Sequence, residues 1–223
     1  MMDKIIVIGG KGSAVVIAEQ ILDTQRKTGS CKLLGFAFDD ELFGEEINGI
    51  PILCKTYDAY KLFKDDDDVK FVFALYRPDL IEERCRLRDS YEIPLNRYAN
   101  FIHHSAYVAQ SVTMGYGNVI LANSVINSNA TLGNYNTIHS NVLIGHDTKL
   151  GNSNFITGHC AIGSNNKLGD RCFIGLNSSL NNYIELGDDI FCGMASNVIK
   201  SIETGKMVYG NPAKETERKI KPL

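Results

Sequence analysis

The sequence predicts an α/β domain followed by an all-β solenoid of hexapeptide repeats, and two contrasting patterns predict it. From Ile102 onward one apolar residue recurs at every sixth position without a slip: Ile102, Val108, Met114, Ile120, Ile126, Leu132, Ile138, Ile144, Leu150, Ile156, Ile162, Leu168, Ile174, Leu180, Leu186, Cys192 and Val198. Fifteen of these seventeen are Ile, Leu or Val, although the chain is only 44% hydrophobic by a broad definition. The first hundred residues lack this period. They alternate short apolar runs with helix-like stretches, the pattern of a small parallel α/β domain.

A period of six matches neither a helix nor an amphipathic strand. It suits a short strand and a corner repeated around a solenoid, each aliphatic pointing inward. The next residue is often glycine (Gly115, Gly133, Gly145, Gly151, Gly163, Gly169, Gly175, Gly187, Gly193). Four residues after each aliphatic stands something mostly small: Ala106, Ser124, Ala130, Thr148, Cys160, Cys172, Ser178, Ser196. Glycine and asparagine are expected to supply the turn conformations. The spacing is the hexapeptide signature of a parallel β-helix, with 18 residues per triangular coil. A β-helix with no active site would carry the same repeat.

In the first domain, Lys4–Ile8 reads as a buried strand, Gly9–Gly12 as a tight loop and Ser13–Thr24 as a helix with apolar Val16, Ile17 and Ile21. Leu33–Phe38 is a second strand ending at Asp39-Asp40, Tyr57–Phe63 is helical, Lys70–Leu75 is a third strand and Asp79–Arg88 a helix. The acidic run Asp65–Asp68 reads as a solvated turn. The domains divide as residues 1–98 and 99–223.

Charge is nearly balanced, 23 Lys and Arg against 26 Asp and Glu, which excludes an electrostatic nucleic-acid binder. No apolar run approaches the ~18 residues of a membrane span, and the opening MMDKIIVIGG is too short for a signal segment. Six scattered cysteines without CxxC spacing fit reduced thiols in a cytoplasm rather than a zinc site or a disulfide framework. Cys160, Cys172 and Cys192 fall in the repeat as small core fillers.

Gly9-Gly10-Lys11-Gly12-Ser13 follows a strand and opens a helix, the context in which backbone N–H groups hold a phosphate. It is not a full G-x-G-x-x-G, and a plain tight turn accounts for it equally. Asp39-Asp40 could accept hydrogen bonds from a ribose or base, or could form an ordinary acidic loop.

All five histidines lie at or after position 103. His146 stands out, because Asp147 can pair with it and it sits two positions after the inward Ile144, at a corner. Its equivalent one coil on is Ser164, roughly 4.8 Å away, the strand spacing. A base in one coil thus faces a backbone N–H in the next, a pair able to deprotonate a nucleophile and hold an oxyanion. The three-histidine zinc arrangement of some β-helical trimers needs two ligands five residues apart. Five after His146 is Gly151 and five after His139 is Ile144, and His139, His146 and His159 take different repeat positions, so no metal is expected.

The glycine loop, the strand end GFAFDD, the junction FIHHSAYV, the segment IGHDTKLGNSNFITGHCAIGSNNKLGDRCFIG and the tail VYGNPAK together resemble one family. It is that of the sialic-acid O-acetyltransferases and nucleotide-aminosugar N-acetyltransferases of bacterial surface-sugar biosynthesis. The resemblance covers nearly the whole chain and implies a Rossmann-like first domain, a left-handed β-helix and a homotrimer with acetyl-CoA between adjacent β-helices. It implies His146 as catalytic base and Asp147 as its orienting acid. Ser164, Leu176 and Met194 fall at acetyl-CoA positions, and Lys11, Gly12, Ser13, Asp39 and Asp40 at sugar-nucleotide positions. Three departures stand out. Gly12-Ser13 replaces the usual Gly-His, Tyr76-Arg77-Pro78 follows the third strand where Gly-Asn or Gly-Asp is common, and Phe155 replaces a histidine often found nine residues after the base.

The expected activity is therefore acetyl transfer from acetyl-CoA to an amine or hydroxyl of a sugar, whose nucleotide linkage is implied by the resemblance. O-acetylation of a free sugar such as sialic acid is the rival enzyme reading. An inactive relative that senses a sugar nucleotide is the rival from another class.

Overall fold

The computed structural model describes residues 2–217. The chain separates into two compact units, Met1–His104 and Ser105–Leu223.

The first unit is built on strands β1 (Asp3–Ile8), β2 (Cys31–Ala37), β3 (Glu46–Ile47), β4 (Ile50–Cys54) and β5 (Val69–Phe73), in the order β3-β4-β2-β1-β5. β4, β2, β1 and β5 run parallel, as burial of Ile5–Ile8 and Phe71–Val72 requires of strands covered on both faces. Helix α1 (Ser13–Thr28) joins β1 to β2, α2 (Ala59–Phe63) joins β4 to β5, and α3 (Ile81–Ser90) follows β5. α1 buries Ala14, Ile17, Ala18 and Ile21 and stops at Gly29, whose φ of 66° is the left-handed cap. The β3–β4 hairpin is absent from the sequence reading, yet its signal was there. Asn48-Gly49 takes φ of 52° and 77°, the two positive values a type I′ two-residue turn needs. The acidic run is also less idle than a solvated turn. Asp66 pairs with Lys4 at 2.9 Å, and the buried Arg97 guanidinium donates to the Phe63, Lys64, Asp66 and Val69 carbonyls.

The second unit is a three-faced parallel solenoid. One face stacks Tyr107–Val108, Val125–Ile126, Leu143–Ile144, Ala161–Ile162, Ser179–Leu180 and Asn197–Val198. The second stacks Thr113–Met114, Thr131–Leu132, Lys149–Leu150, Lys167–Leu168 and Glu185–Leu186. The third runs from Val119–Ile120 through Thr137–Ile138, Phe155–Ile156 and Phe173–Ile174 to Phe191–Cys192, then Met207–Tyr209. Partners in every ladder from 107 to 198 are 18 residues apart. The sixth-position residues from Ile120 to Val198 are all buried. Ile102 is 37% exposed and lies in the first unit, so the inward stack begins later than the period does.

The corners correct one expectation. The left-handed conformation falls three positions after each inward residue, at Asn123, Asn129, Tyr135, Asn141, Asp147, Ser153, His159, Asn165, Arg171, Asn177, Tyr183, Asp189 and Ala195. Asparagine is prominent there because its short polar side chain tolerates positive φ. The repeat glycines serve a different need, close packing between coils. A Cβ on Gly133 would stand 2.6 Å from the Gly151 carbonyl oxygen. Inside the corners a buried ladder runs from Asn118 through Asn136 to Asn154, each Nδ2 donating to the Oδ1 one coil before it at 3.0 Å. All six cysteines are free thiols, and Cys160, Cys172 and Cys192 fill the core.

Outside the third face, rings stack along the axis: Phe155 on Phe173 at 6.1 Å, Phe173 on Phe191 at 4.8 Å, and Tyr209 beyond. His139 closes the near end, 4.8 Å from Phe155, with a buried Nε2 that has no hydrogen-bond partner. Burial holds this imidazole below its ordinary pKa of 6.5, since a charged ring there would be stripped of water.

Two measurements check this packing. Gly133→Ala should cost about 1–3 kcal/mol in denaturant unfolding, the range for overpacking a tight site. A loss within error would remove the close-approach argument. His139→Leu should flatten the acid side of the stability profile. The unfolded chain takes up a proton as pH falls through 6.5 while folded His139 resists it, so the parent loses stability progressively below 6.5. His103, also depressed by burial, remains in both chains. Identical profiles between pH 7 and 5 would show that His139 is not buried neutral.

Candidate active site

His146 lies at the corner between strand Leu143–Ile144 and strand Lys149–Leu150, and its side chain is 57% exposed. Asp147 takes the left-handed position of that corner, φ 58°, which turns its carboxylate back toward the preceding ring. Asp147 Oδ2 stands 2.6 Å from His146 Nδ1. Its other oxygen, Oδ1, accepts from Asn129 Nδ2 at 3.1 Å, one coil earlier. The bond with His146 first, then that with Asn129, holds the Asp147 carboxyl below the usual carboxylate range. An ionised acceptor at Nδ1 fixes the proton on that nitrogen and leaves the lone pair on Nε2. The corner backbone is pinned as well: Asp147 N–H donates to Ser128 O at 3.0 Å and Asn165 N–H to His146 O at 2.9 Å.

Ser164 stands one coil on, but its backbone N–H is not open. It donates to Asn182 Oδ1 at 2.8 Å, from the coil beyond. The Ser164 amide beside His146 is thus engaged by an internal acceptor, because the same 18-residue ladder that aligns Ser164 with His146 aligns Asn182 with Ser164. An open cavity of about 420 Å³ adjoins Asp147, lined also by Lys149, Asn165, Lys167, Tyr183 and Glu185. A larger one, about 930 Å³, lies farther along this face among Glu185, Asp188, Glu203 and Thr204 and holds none of the predicted residues. Leu176 and Met194, 50% and 67% exposed, form an apolar step one coil apart on a different corner, between the third and first faces.

In the first unit the glycine loop leads into α1, whose N-terminus has Gly12 at φ 53° and no side-chain cap. The Ala14 and Val15 N–H groups donate to the Lys11 and Gly12 carbonyls, each at 3.1 Å, so the loop backbone closes the start of the helix and no side chain caps it. Gly10 is obligatory: a Cβ there would lie 2.5 Å from the Phe38 ring. Lys11 Nζ reaches Asp40 Oδ2 at 2.6 Å and lies 5.1 Å from the centre of the Phe43 ring. Asp40 Oδ1 accepts from Leu42 N–H, and the paired Lys11 holds the Asp40 carboxyl below its usual range. Asp39 differs from its neighbour. Both its oxygens are committed to Thr56, to N–H at 2.9 Å and Oγ1 at 2.7 Å, so of the two acids Asp40 is the one that meets the loop. Arg77 is held by Asp79 through two hydrogen bonds, at 3.1 and 2.7 Å, which neutralises the cation of the Tyr76-Arg77-Pro78 turn.

The structure therefore joins His146, Asp147 and Ser164 on one corner, and Lys11, Gly12, Ser13 and Asp40 around one loop. Exposed His159 occupies a left-handed corner position, and the solenoid histidines do not converge: among the described residues the one His-containing cluster is elsewhere.

No family model and no curated protein matches the chain. Solved structures do. PerB from Caulobacter crescentus, in complex with CoA and GDP-perosamine, is 22% identical over 97% of this chain and 98% of its own, with a TM-score of 0.80. The acetyltransferase domain of PglB from Neisseria gonorrhoeae, with acetyl coenzyme A, is 21% identical over 97% and 100%, TM-score 0.81. WeeI from Acinetobacter baumannii is 19% identical over 96% and 100%, TM-score 0.77. At these identities the likeness establishes the architecture: an α/β unit followed by a left-handed parallel β-helix, over nearly the whole of each chain.

Proposed function

We propose that the protein transfers an acetyl group from acetyl-CoA to the amine of a nucleotide-linked aminosugar, in the cytoplasmic assembly of a bacterial surface glycan. The observation that carries this reading is the exposed His146 side chain, its Nδ1 held by Asp147. The uncapped glycine loop at α1 supports a phosphate-bearing acceptor, and the CoA and GDP-perosamine held by the like-folded Caulobacter enzyme support both substrates. In this reading residues 1–98 hold the sugar nucleotide through Lys11, Gly12, Ser13 and Asp40, and residues 99–223 carry acyl transfer. No helix of the described residues is long and apolar enough to cross a membrane.

The reaction needs one base. The acceptor amine attacks the thioester carbonyl as His146 Nε2 takes its proton, and Asp147 stabilises the imidazolium that forms. The carbonyl oxygen becomes an oxyanion, which the Ser164 amide receives as the Asn182 side chain gives way. Collapse breaks the C–S bond, and the imidazolium returns its proton to the departing CoA thiolate. A cysteinyl intermediate has no support: burial raises the Cys172 thiol to about 12 and pushes Cys160 up as well. Leu176 and Met194 suit the pantetheine of CoA, yet they occupy a different corner from His146. A groove walled by both corners needs a second copy of the chain, and closed cyclic symmetry makes a homotrimer with three such grooves.

The test is thiol release from acetyl-CoA across a panel of nucleotide-linked aminosugars and free sialic acid. Turnover with a nucleotide aminosugar is the expected result; turnover only with the free sugar replaces the acceptor, and none at all favours a sensing protein. His146→Ala should lower kcat by ~10²–10⁴-fold, the typical worth of general-base catalysis, while Asp147→Asn costs less because the base remains. Near-parental turnover in a folded His146→Ala trimer would overturn the mechanism. Calorimetry should show Asp40→Ala weakening the nucleotide sugar and leaving acetyl-CoA unchanged; equal binding by parent and variant would remove Asp40 from the acceptor site.

A further inference from the structure

The two histidines of FIHHSAYV play no part in the proposed chemistry, yet they converge on one carboxylate. Asp23 projects from the C-terminal half of α1. His104 Nε2 stands 2.8 Å from Asp23 Oδ2, and His103 Nε2 stands 3.4 Å from the same oxygen. The three donor atoms lie within 4.8 Å of one another, and they form the one such cluster found among the described residues. The His104 N–H donates to Thr24 Oγ1 at 3.3 Å, holding the turn against the helix, and His103 packs edge-on to Phe101.

Burial is graded across the group. His103 is 5% exposed, while the side chains of His104 and Asp23 are 25% and 38% exposed. The cluster is thus closed toward the protein and open toward solvent. The two rings lie side by side, with centroids 4.3 Å apart. Arg26 touches only the other oxygen, Oδ1, at 3.9 Å. Two imidazoles and a carboxylate form a ligand set for a borderline divalent cation. Donors at 2.0–2.2 Å in a tetrahedron stand roughly 3.3–3.5 Å apart, so the observed 3.4 Å already fits and His104 has only to draw back slightly from 2.8 Å.

We propose that Asp23, His103 and His104 bind one divalent transition-metal ion, of the zinc, cobalt or nickel class, with its remaining position open to water. The ion pins the end of α1 to the turn after residue 102 within the first unit. It is remote from His146 in role, and the inference does not rest on the acetyl-transfer reading.

Metal-free protein titrated with Co(II) reports the site through its visible absorption. The expected result is one Co(II) per chain with a nitrogen- and oxygen-ligand spectrum lacking thiolate charge transfer, displaced by Zn(II), with a raised melting temperature. His104→Ala and Asp23→Asn should each weaken binding at least tenfold, whereas His146→Ala and His159→Ala should bind as the parent does. If a variant misfolds, Co(II) added to the parent gives the same answer by NMR. The His103 and His104 imidazole signals must broaden before those of His139, His146 and His159. Parental binding weaker than about 100 μM, or roughly −5.5 kcal/mol, overturns the proposal, as does undiminished binding by His104→Ala or a thiolate spectrum.

Discussion

The second unit depends on an eighteen-residue register between coils, maintained by ladders such as Gly145 N–H to Ile162 O at 2.8 Å and Gly163 N–H to Leu180 O at 3.0 Å. That register stacks Ile126, Ile144 and Ile162 in one file, all fully buried. A one-residue slip would exchange inward for outward side chains along a whole face. It would also carry His146 off its corner and Asn118, Asn136 and Asn154 out of their amide ladder. Core, corners and candidate site therefore stand or fall together.

The corner at Asp147 shows how closely architecture and chemistry share one residue. Every hexapeptide needs a left-handed residue at this point, usually asparagine or another short polar side chain. Aspartate satisfies that demand and, because positive φ directs its side chain back along the chain, meets His146 Nδ1. Asn129, one coil earlier in the same conformation, then braces the carboxylate. The His146 imidazole is oriented by a backbone conformation that the solenoid requires anyway, so the ring is held without a further ordering cost.

The same register places limits on the site. The ladder that brings Ser164 beside His146 also brings Asn182 to the Ser164 amide. Any ligand of that amide must compete with an internal acceptor, a cost absent from a corner with a shorter side chain in the coil beyond. In the first unit the loop is likewise self-satisfied: Lys11 rests on Asp40, and Asp39 on Thr56. A ligand there exchanges one set of polar contacts for another.

Much of this was legible in the sequence, for a local reason. A six-residue period survives in the chain because every coil repeats the same short strand and corner, so neighbouring residues carry the full pattern of inward positions. His146 and Asp147 are adjacent, and their pairing is set by one turn. The hairpin at Asn48-Gly49 was equally local and could have been read from that dipeptide. The tertiary structure alone decided which polar groups remain available. Asn182 reaches Ser164 across 18 residues, Thr56 reaches Asp39 across 17, and His104 reaches Asp23 across 81. Those partners are chosen by packing between coils and elements. A carboxylate or amide has the same letter in the sequence whether its hydrogen bonds are spent or free.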